Sequence, residues 1–205
     1  MRPAYLILGV FILAGSLAAY SLRPKEARDD SVILASTTPA MTNVFSISSP
    51  AFPDNGMIPA KYTCDGDGAL SPPLVISEIP KVAKSLALIM DDPDIPDVVR
   101  KARNESAFDH WILFNLPAGE RTLRIEEGQV PKGAVPGANS AGGNAYTGPC
   151  PPREYEPSEH RYIFKLYALM EPLALPAGAK KGEVMDALAP LVVAEAELVG
   201  RYSRK

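Results

Sequence analysis

The sequence predicts a mainly β, loop-rich domain, and three observations carry that prediction. The chain holds 21 prolines among 205 residues, about twice the usual share of roughly 5%, and they punctuate apolar runs instead of forming a low-complexity tract. Three of those runs, Ser85–Met90, Trp111–Leu116 and Tyr162–Met170, are short and bounded by turn signals, as strands buried on both faces are. Helical spacing is clearest in Lys180–Leu191, where Val184, Leu188 and Leu191 fall on one face, although Pro190 should end the helix.

From the N-terminus, Ala4–Leu22 carries no charge and follows Arg2. Residues 1–22 read as a signal peptide or a transmembrane anchor. A helix of that stretch reaches about 29 Å, enough to cross a bilayer core; the small residues between Ala14 and Ala19 equally offer signal-peptidase spacing. No cysteine follows the run, which removes lipoprotein anchoring. Arg23, Lys25 and Arg28 are mixed with Glu26, Asp29 and Asp30, so basic residues give no clean orientation. The rest of the chain is then exported, periplasmic or extracellular, or held at a membrane by that segment alone. Residues 23–43, charged and then Ser/Thr-rich, read as a flexible linker. The folded domain spans residues 44–205, about 160 residues, enough for one domain with a sizeable core. Net charge is −3, from 21 basic and 24 acidic residues, so no overall field draws nucleic acid or an anionic membrane.

The domain opens with a strand at Val44, Phe45 and Ile47, closed by Ser48-Ser49-Pro50. Phe52–Pro73 is rich in turn formers. Its Asp65-Gly66-Asp67-Gly68 is no EF-hand loop, because Ala69 and Ile76 stand where an Asx and a Glu are needed. The three central strands follow. Asp92 and Asp94 come just after the first, His110 just before the second, and His160 just before the third. If these strands are antiparallel neighbours, the end of the first lies beside the starts of the others, and the acids and imidazoles meet at one rim. Gly128–Pro152 is a long Gly/Pro/Asn-rich loop, of a length that marks functional or disordered segments. Val192–Tyr202 alternates in part and reads as a last strand.

Three chemistries fit that rim. Two histidines and two aspartates are a set that zinc or iron accepts, but no ligand-spacing signature is present. A hydrolase would use the His/Asp set with Ser140 or Cys150 as nucleophile. Ala138-Asn139-Ser140-Ala141-Gly142 resembles a nucleophile elbow and is followed by Glu154, Glu156, Glu159 and His160. The Pro/Gly-rich residues before it do not form the buried strand an elbow requires. The third chemistry is binding of a small anion, with imidazoles and loop N–H groups as donors; ionised aspartates repel a dianion, so they orient the imidazoles or share a proton. For the cysteines, Cys64 and Cys150 form a disulfide if the domain is exported; a free reactive thiol or two unlinked buried thiols are the alternatives.

Several segments together resemble the phosphatidylethanolamine-binding protein family, in its bacterial and archaeal Raf-kinase-inhibitor-like branch. They are Tyr62-Thr63-Cys64-Asp65-Gly66 with Ser71-Pro72-Pro73-Leu74, Asp92-Pro93-Asp94-Ile95-Pro96, Asp109-His110-Trp111, Asn115-Leu116-Pro117, Gly148-Pro149-Cys150-Pro151-Pro152 and His160-Arg161-Tyr162. The resemblance implies a two-sheet antiparallel β-sandwich with Greek-key connections and a few short helices. It also implies an anion-accepting cavity at one end, lined by Asp92, Asp94, His110, Gly148, Pro149, His160 and Tyr162. The function it implies is non-enzymatic binding of a small anionic, phosphate-bearing headgroup-like ligand, with no cofactor. Some members also modulate kinases or proteases; a protease- or kinase-inhibitor role would use the 128–152 loop, although no cytosolic kinase meets an exported domain. Beside this, Cys150 reads better as a staple to Cys64 than as a nucleophile. Two departures stand out: Ile76 occupies a place often held by tryptophan, which would remove an aromatic wall, and Asp97–Ser106 is a charged insert expected to form a solvated helix.

Overall fold

The three apolar runs are the middle of a sheet. The computed structural model describes residues 44–204; the targeting segment and linker expected over 1–43 lie outside the described residues. In chain order the strands are β1 (Ser46–Ser48), β2 (Gly56–Met57), β3 (Leu74–Ser77), β4 (Ser85–Asp92), β5 (Phe108–Pro117), β6 (Thr122–Ile125), β7 (Val135–Pro136), β8 (Glu159–Leu169) and β9 (Val192–Ser203), with helices α1 (Asp97–Arg103) and α2 (Lys181–Leu188). One sheet has the order β1-β3-β6 and the other β2-β9-β8-β4-β5-β7. Every pairing is antiparallel except the short β2–β9 ladder. Within the larger sheet β8 returns to lie beside β4, giving the order β8-β4-β5-β7, a Greek key.

Strand β4 is buried at every position because both its faces are covered. Leu86, Leu88 and Met90 point between the sheets, where they meet Ile47, Leu74, Ile76 and Ile125 of the small sheet and Trp111, Phe164 and Leu198 of the large one. Ala87 and Ile89 point the other way, against Leu173, Val184 and Leu188, so α2 and the loop before it cover the outer face. Each fully buried Leu, Ile or Phe contributes about 1.5–3 kcal/mol, which makes this doubly covered strand the centre of the fold. Ile76 lies in the inter-sheet core, fully buried and opposite Leu123. It is not a cavity wall, which corrects the expectation of a missing aromatic there. The charged insert is α1, with no buried residue, ended by Asn104 in the left-handed region at φ 53° with its N–H bonded to the Arg100 carbonyl.

Two irregularities in β5 shape the rim. Opposite β4, the register steps from Met90↔Trp111 to Asp91↔Asp109, so His110 is an extra residue on β5. Such a bulge re-aims a side chain and leaves a backbone group unpaired. Here it places His110 on the same side as Trp111, against Tyr162 of the inter-sheet core, while Asp109 faces α2 and bonds Lys181 at 2.7 Å. The carbonyl left over by the bulge accepts the Thr147 N–H at 3.0 Å. The second shift, between Leu86 and Leu88, falls where Asn115 takes φ 57°; its side chain bonds the Leu173 N–H and carbonyl at 2.8 and 3.0 Å and so ties the outer loop to the strand.

Candidate functional site

At the rim, β4 supplies Asp92, β5 supplies Phe108 and His110, and β8 supplies His160. Period-two alternation puts Asp92 on the inner side and Asp91 on the outer, where Asp91 bonds Lys165 at 3.0 Å and Lys181 at 2.8 Å. The fourth wall is the end of the long loop. Asn139, itself buried, organises that loop: its amide donates to the Ala145 carbonyl at 2.6 Å and to Thr147 Oγ1 at 3.0 Å, and its oxygen accepts the N–H groups of Ala141 and Gly143. Thr147, Gly148, Cys150 and Pro152 thereby face the strand ends across a cavity of about 240 Å³, closed on its remaining side by Ile95, Pro96 and Val99.

The polar groups of this cavity are few and tightly held. His160 Nδ1 donates to Asp92 Oδ2 at 2.7 Å, and both side chains are buried, 1% and 5% exposed. The other Asp92 oxygen accepts the Asp94 N–H at 2.8 Å, so one carboxylate orients the imidazole and closes the Asp92-Pro93-Asp94 turn. His110 Nδ1 donates to the Thr147 carbonyl at 2.7 Å. A carbonyl only accepts, so Nδ1 carries the hydrogen; burial pushes the ring's pKa below the ordinary histidine value. Tyr162 packs edge-on to His110, ring centroids 5.2 Å apart, and stacks near His160 at 6.5 Å. Burial pushes its phenol pKa far up. Among the described residues the His160 Nε2 and the Tyr162 hydroxyl are buried without a hydrogen-bond partner, although the large majority of buried side-chain polar atoms have one.

Of the seven ligand-binding residues expected, Asp92, His110, Gly148 and His160 line the cavity. Tyr162 supports the two imidazoles from beside them. Pro149 is buried behind the wall, where its carbonyl accepts the Cys64 N–H at 3.0 Å. Asp94 turns away: Arg161 grips it through Nε at 2.8 Å, Nη2 at 2.7 Å and its backbone N–H at 2.9 Å, which holds its carboxyl below the usual range. It lines the neighbouring cleft between Pro93–Arg100 and Tyr155–Pro157. Cys64 and Cys150 are joined as a disulfide, which leaves no thiol to act as nucleophile. Ser140 is also engaged, accepting the Asp109 N–H at 3.0 Å and donating to Glu105 at 3.1 Å. Among the described residues no group of three or more His, Cys, Asp or Glu is arranged to hold a metal. Phe108, Thr147 and Val99 were not anticipated; only the long loop pointed towards Thr147.

The comparisons with known proteins agree with this architecture. The family model described as phosphatidylethanolamine-binding protein matches residues 48–203, nearly all of the described chain. The chain belongs to the phosphatidylethanolamine-binding protein family. Among curated members, the UPF0098 protein of Methanothermobacter thermautotrophicus is 43% identical over 162 residues, covering 78% of this chain and 99% of its own length. The UPF0098 protein of Chlamydia trachomatis is 40% identical, covering 77% and 98%. A solved structure of a family homologue from Chlamydia trachomatis superposes with a TM-score of 0.70 at 39% identity, over 80% of this chain and all of that one. Escherichia coli YbcL, described as a member of the mammalian family, gives 0.67 at 28% identity, over 78% and 99%.

One family segment has a clear steric reason. A Cβ on Gly148 would stand 2.7 Å from the Tyr62 carbonyl oxygen and 3.0 Å from that of Gly68, and its N–H bonds the Gly68 carbonyl at 2.7 Å. Two backbone segments therefore meet at a distance only glycine allows. Gly148→Ala is expected to destabilise the domain by about 1–3 kcal/mol through overpacking, read as a lower urea midpoint. An unchanged midpoint would show that the wall yields freely.

Proposed function

We propose that this domain binds a small anionic group, such as a phosphate-bearing headgroup, in the rim cavity without transforming it. The observation that carries the reading is His160: it lines the cavity, its Nδ1 is held by Asp92, and its buried Nε2 has no hydrogen-bond partner among the described residues. A ligand atom at that point would satisfy it. The mostly apolar remainder, Ile95, Pro96, Val99 and Phe108, is the setting in which a few placed polar groups fix a small ligand. The Asp92–His160 pair also resembles the base of a hydrolase, but both candidate nucleophiles are engaged elsewhere, which favours binding over turnover. The Cys64–Cys150 bridge favours an oxidising compartment, in keeping with a domain exported, or tethered to a membrane, through residues 1–22.

The test is titration with phosphorylethanolamine and inorganic phosphate while the ring signals of the two histidines are followed by NMR. Both rings are expected to shift at millimolar ligand. Silence at both would sink the proposal, and turnover of a generic ester that disappears in His110→Ala would replace it with the hydrolase reading.

A further inference from the structure

We infer that the Cys64–Cys150 bridge is a thiol-exchange site on the folded domain: a dithiol opens it directly, and its opening releases residues 150–158, a strap that walls two adjacent cavities. The inference is independent of what either cavity binds. It starts from exposure, since both cysteines are exposed. Exposed bridges are the labile and regulatory ones, because an incoming thiolate reaches a sulfur without the domain unfolding first.

The two ends of the bridge are held very unequally. Beside Cys64, the Thr63 hydroxyl and N–H both donate to the Ala60 carbonyl, at 2.8 and 3.0 Å. The Asp65 carboxylate accepts from the Tyr202 hydroxyl at 2.6 Å and from Arg204 at 3.0 Å. On the other side, backbone bonding to the rest of the domain stops at the Pro149 carbonyl, which accepts the Cys64 N–H. Pro151, Pro152 and Pro157 have no N–H to give. Among the described residues no backbone hydrogen bond joins residues 150–158 to the rest of the domain. Pro151 is buried, but every residue from Arg153 to Ser158 is exposed, and the Glu156 carboxylate turns back within the strap to accept the Ser158 N–H at 2.9 Å. Arg153 approaches Asp65 at 4.0 Å with its side chain 56% exposed, a contact worth at most about 1 kcal/mol. A segment with so little burial and no ladder belongs to the low-stability end of a fold, and the bridge is what secures its head.

Its position gives the release a consequence. Cys150 and Pro152 face the rim cavity, while Tyr155, Glu156 and Pro157 wall the neighbouring cleft. The two cavities share Ile95 and Pro96 as a common ridge. Once the bridge opens, Gly148 and Pro149 stay anchored to Gly68 and Cys64 by their backbone bonds, and the strap beyond them is free to leave both cavities together. In the exchange, a thiolate of the dithiol attacks one Sγ, the Sγ–Sγ bond breaks, and the other cysteine departs as a thiolate that takes up a proton. The second thiol of the reagent then displaces the first cysteine. The bridge thereby gains two electrons and two protons, and the dithiol becomes a disulfide.

The test measures the rate of bridge opening by dithiothreitol, with the freed thiols alkylated and counted by intact mass, in buffer and in urea well below the unfolding midpoint. Direct attack on the folded domain is expected to be first order in dithiothreitol and to change less than about twofold per molar urea. Opening through global unfolding would accelerate about tenfold or more per molar urea, and that result would overturn the inference. NMR relaxation reads the second half. On reduction, the amide order parameters of Glu154, Tyr155 and Ser158 are expected to fall below about 0.6, while those of Thr147 and Gly148 stay near about 0.85. Strap order parameters that do not change on reduction would overturn the release. A Cys64→Ser, Cys150→Ser double variant is expected to give the low strap values without reductant; should it not fold by circular dichroism, the unaltered protein before and after reduction decides alone.

Discussion

Asp92→Ala is expected to destabilise the domain by about 2–4 kcal/mol, since a buried donor left without its acceptor costs about 1–3 kcal/mol. Two donors lose their acceptor together: His160 Nδ1, at 2.7 Å, and the Asp94 backbone N–H, at 2.8 Å. The first has no water to turn to, since His160 is 1% exposed, whereas Asp94 is half-buried. Unfolding in urea should show a lower midpoint with the slope unchanged, and the His160 ring signal should move without ligand because nothing then fixes its orientation. Asp92→Asn separates the two roles. Its amide oxygen can still accept, so much of the stability should return while the carboxylate behind the imidazole does not. A loss below about 1 kcal/mol for the alanine variant would mean that the pair is not the anchor of the rim.

Opening the Cys64–Cys150 bridge should have the largest effect on thermal stability. The two cysteines are 86 residues apart, and releasing a loop of that length gives the unfolded chain entropy worth about 4–5 kcal/mol in the chain-entropy model. At roughly 2–4 °C per kcal/mol for a domain of this size, Tm should fall by about 10–15 °C. The reduced domain is nevertheless expected to fold. The turn at Cys64 and the wall at Cys150 are also joined by Cys64 N–H to the Pro149 carbonyl at 3.0 Å, Gly148 N–H to the Gly68 carbonyl at 2.7 Å, and Tyr146 hydroxyl to the Tyr62 carbonyl at 2.9 Å. Calorimetry with and without a dithiol reductant checks this, alongside a Cys64→Ser, Cys150→Ser double variant that should melt low under both conditions. Equal melting of the unaltered protein in both would show that the bridge contributes nothing to stability.

What could be read from the sequence follows burial. Strands β4, β5 and β8 were legible because cover on both faces makes their sequences continuous apolar runs between turns. Strands β3 and β6 were not. Leu74-Val75-Ile76 is three apolar residues beside prolines, and Thr122-Leu123-Arg124-Ile125 alternates too briefly to stand out. At the rim, Asp92, His110 and His160 could be brought together because strand ends that neighbour one another must meet. Asp94 was misplaced for a geometric reason: with Pro93 between, the chain has left β4, and the alternation that keeps residues two apart on one face no longer holds. Its partner, Arg161, sits on β8 beside His160 and carries no motif that announces the pairing. Thr147 contributes a backbone carbonyl and Phe108 an apolar ring, neither of which leaves a chemical signature in a sequence.

The extra residue at His110 divides β5 into two stretches counted from different origins. Beyond Trp111 the odd and even positions are set by the core; before it they are set by the rim, and the parity of one does not determine that of the other. Paired without the bulge, the same amino acids in the same order would exchange their duties, turning the Asp109 carboxylate inward and the imidazole outward towards Lys181. The balance of imidazoles and carboxylates in the cavity is thus governed by the register of β5 as much as by the identity of its residues.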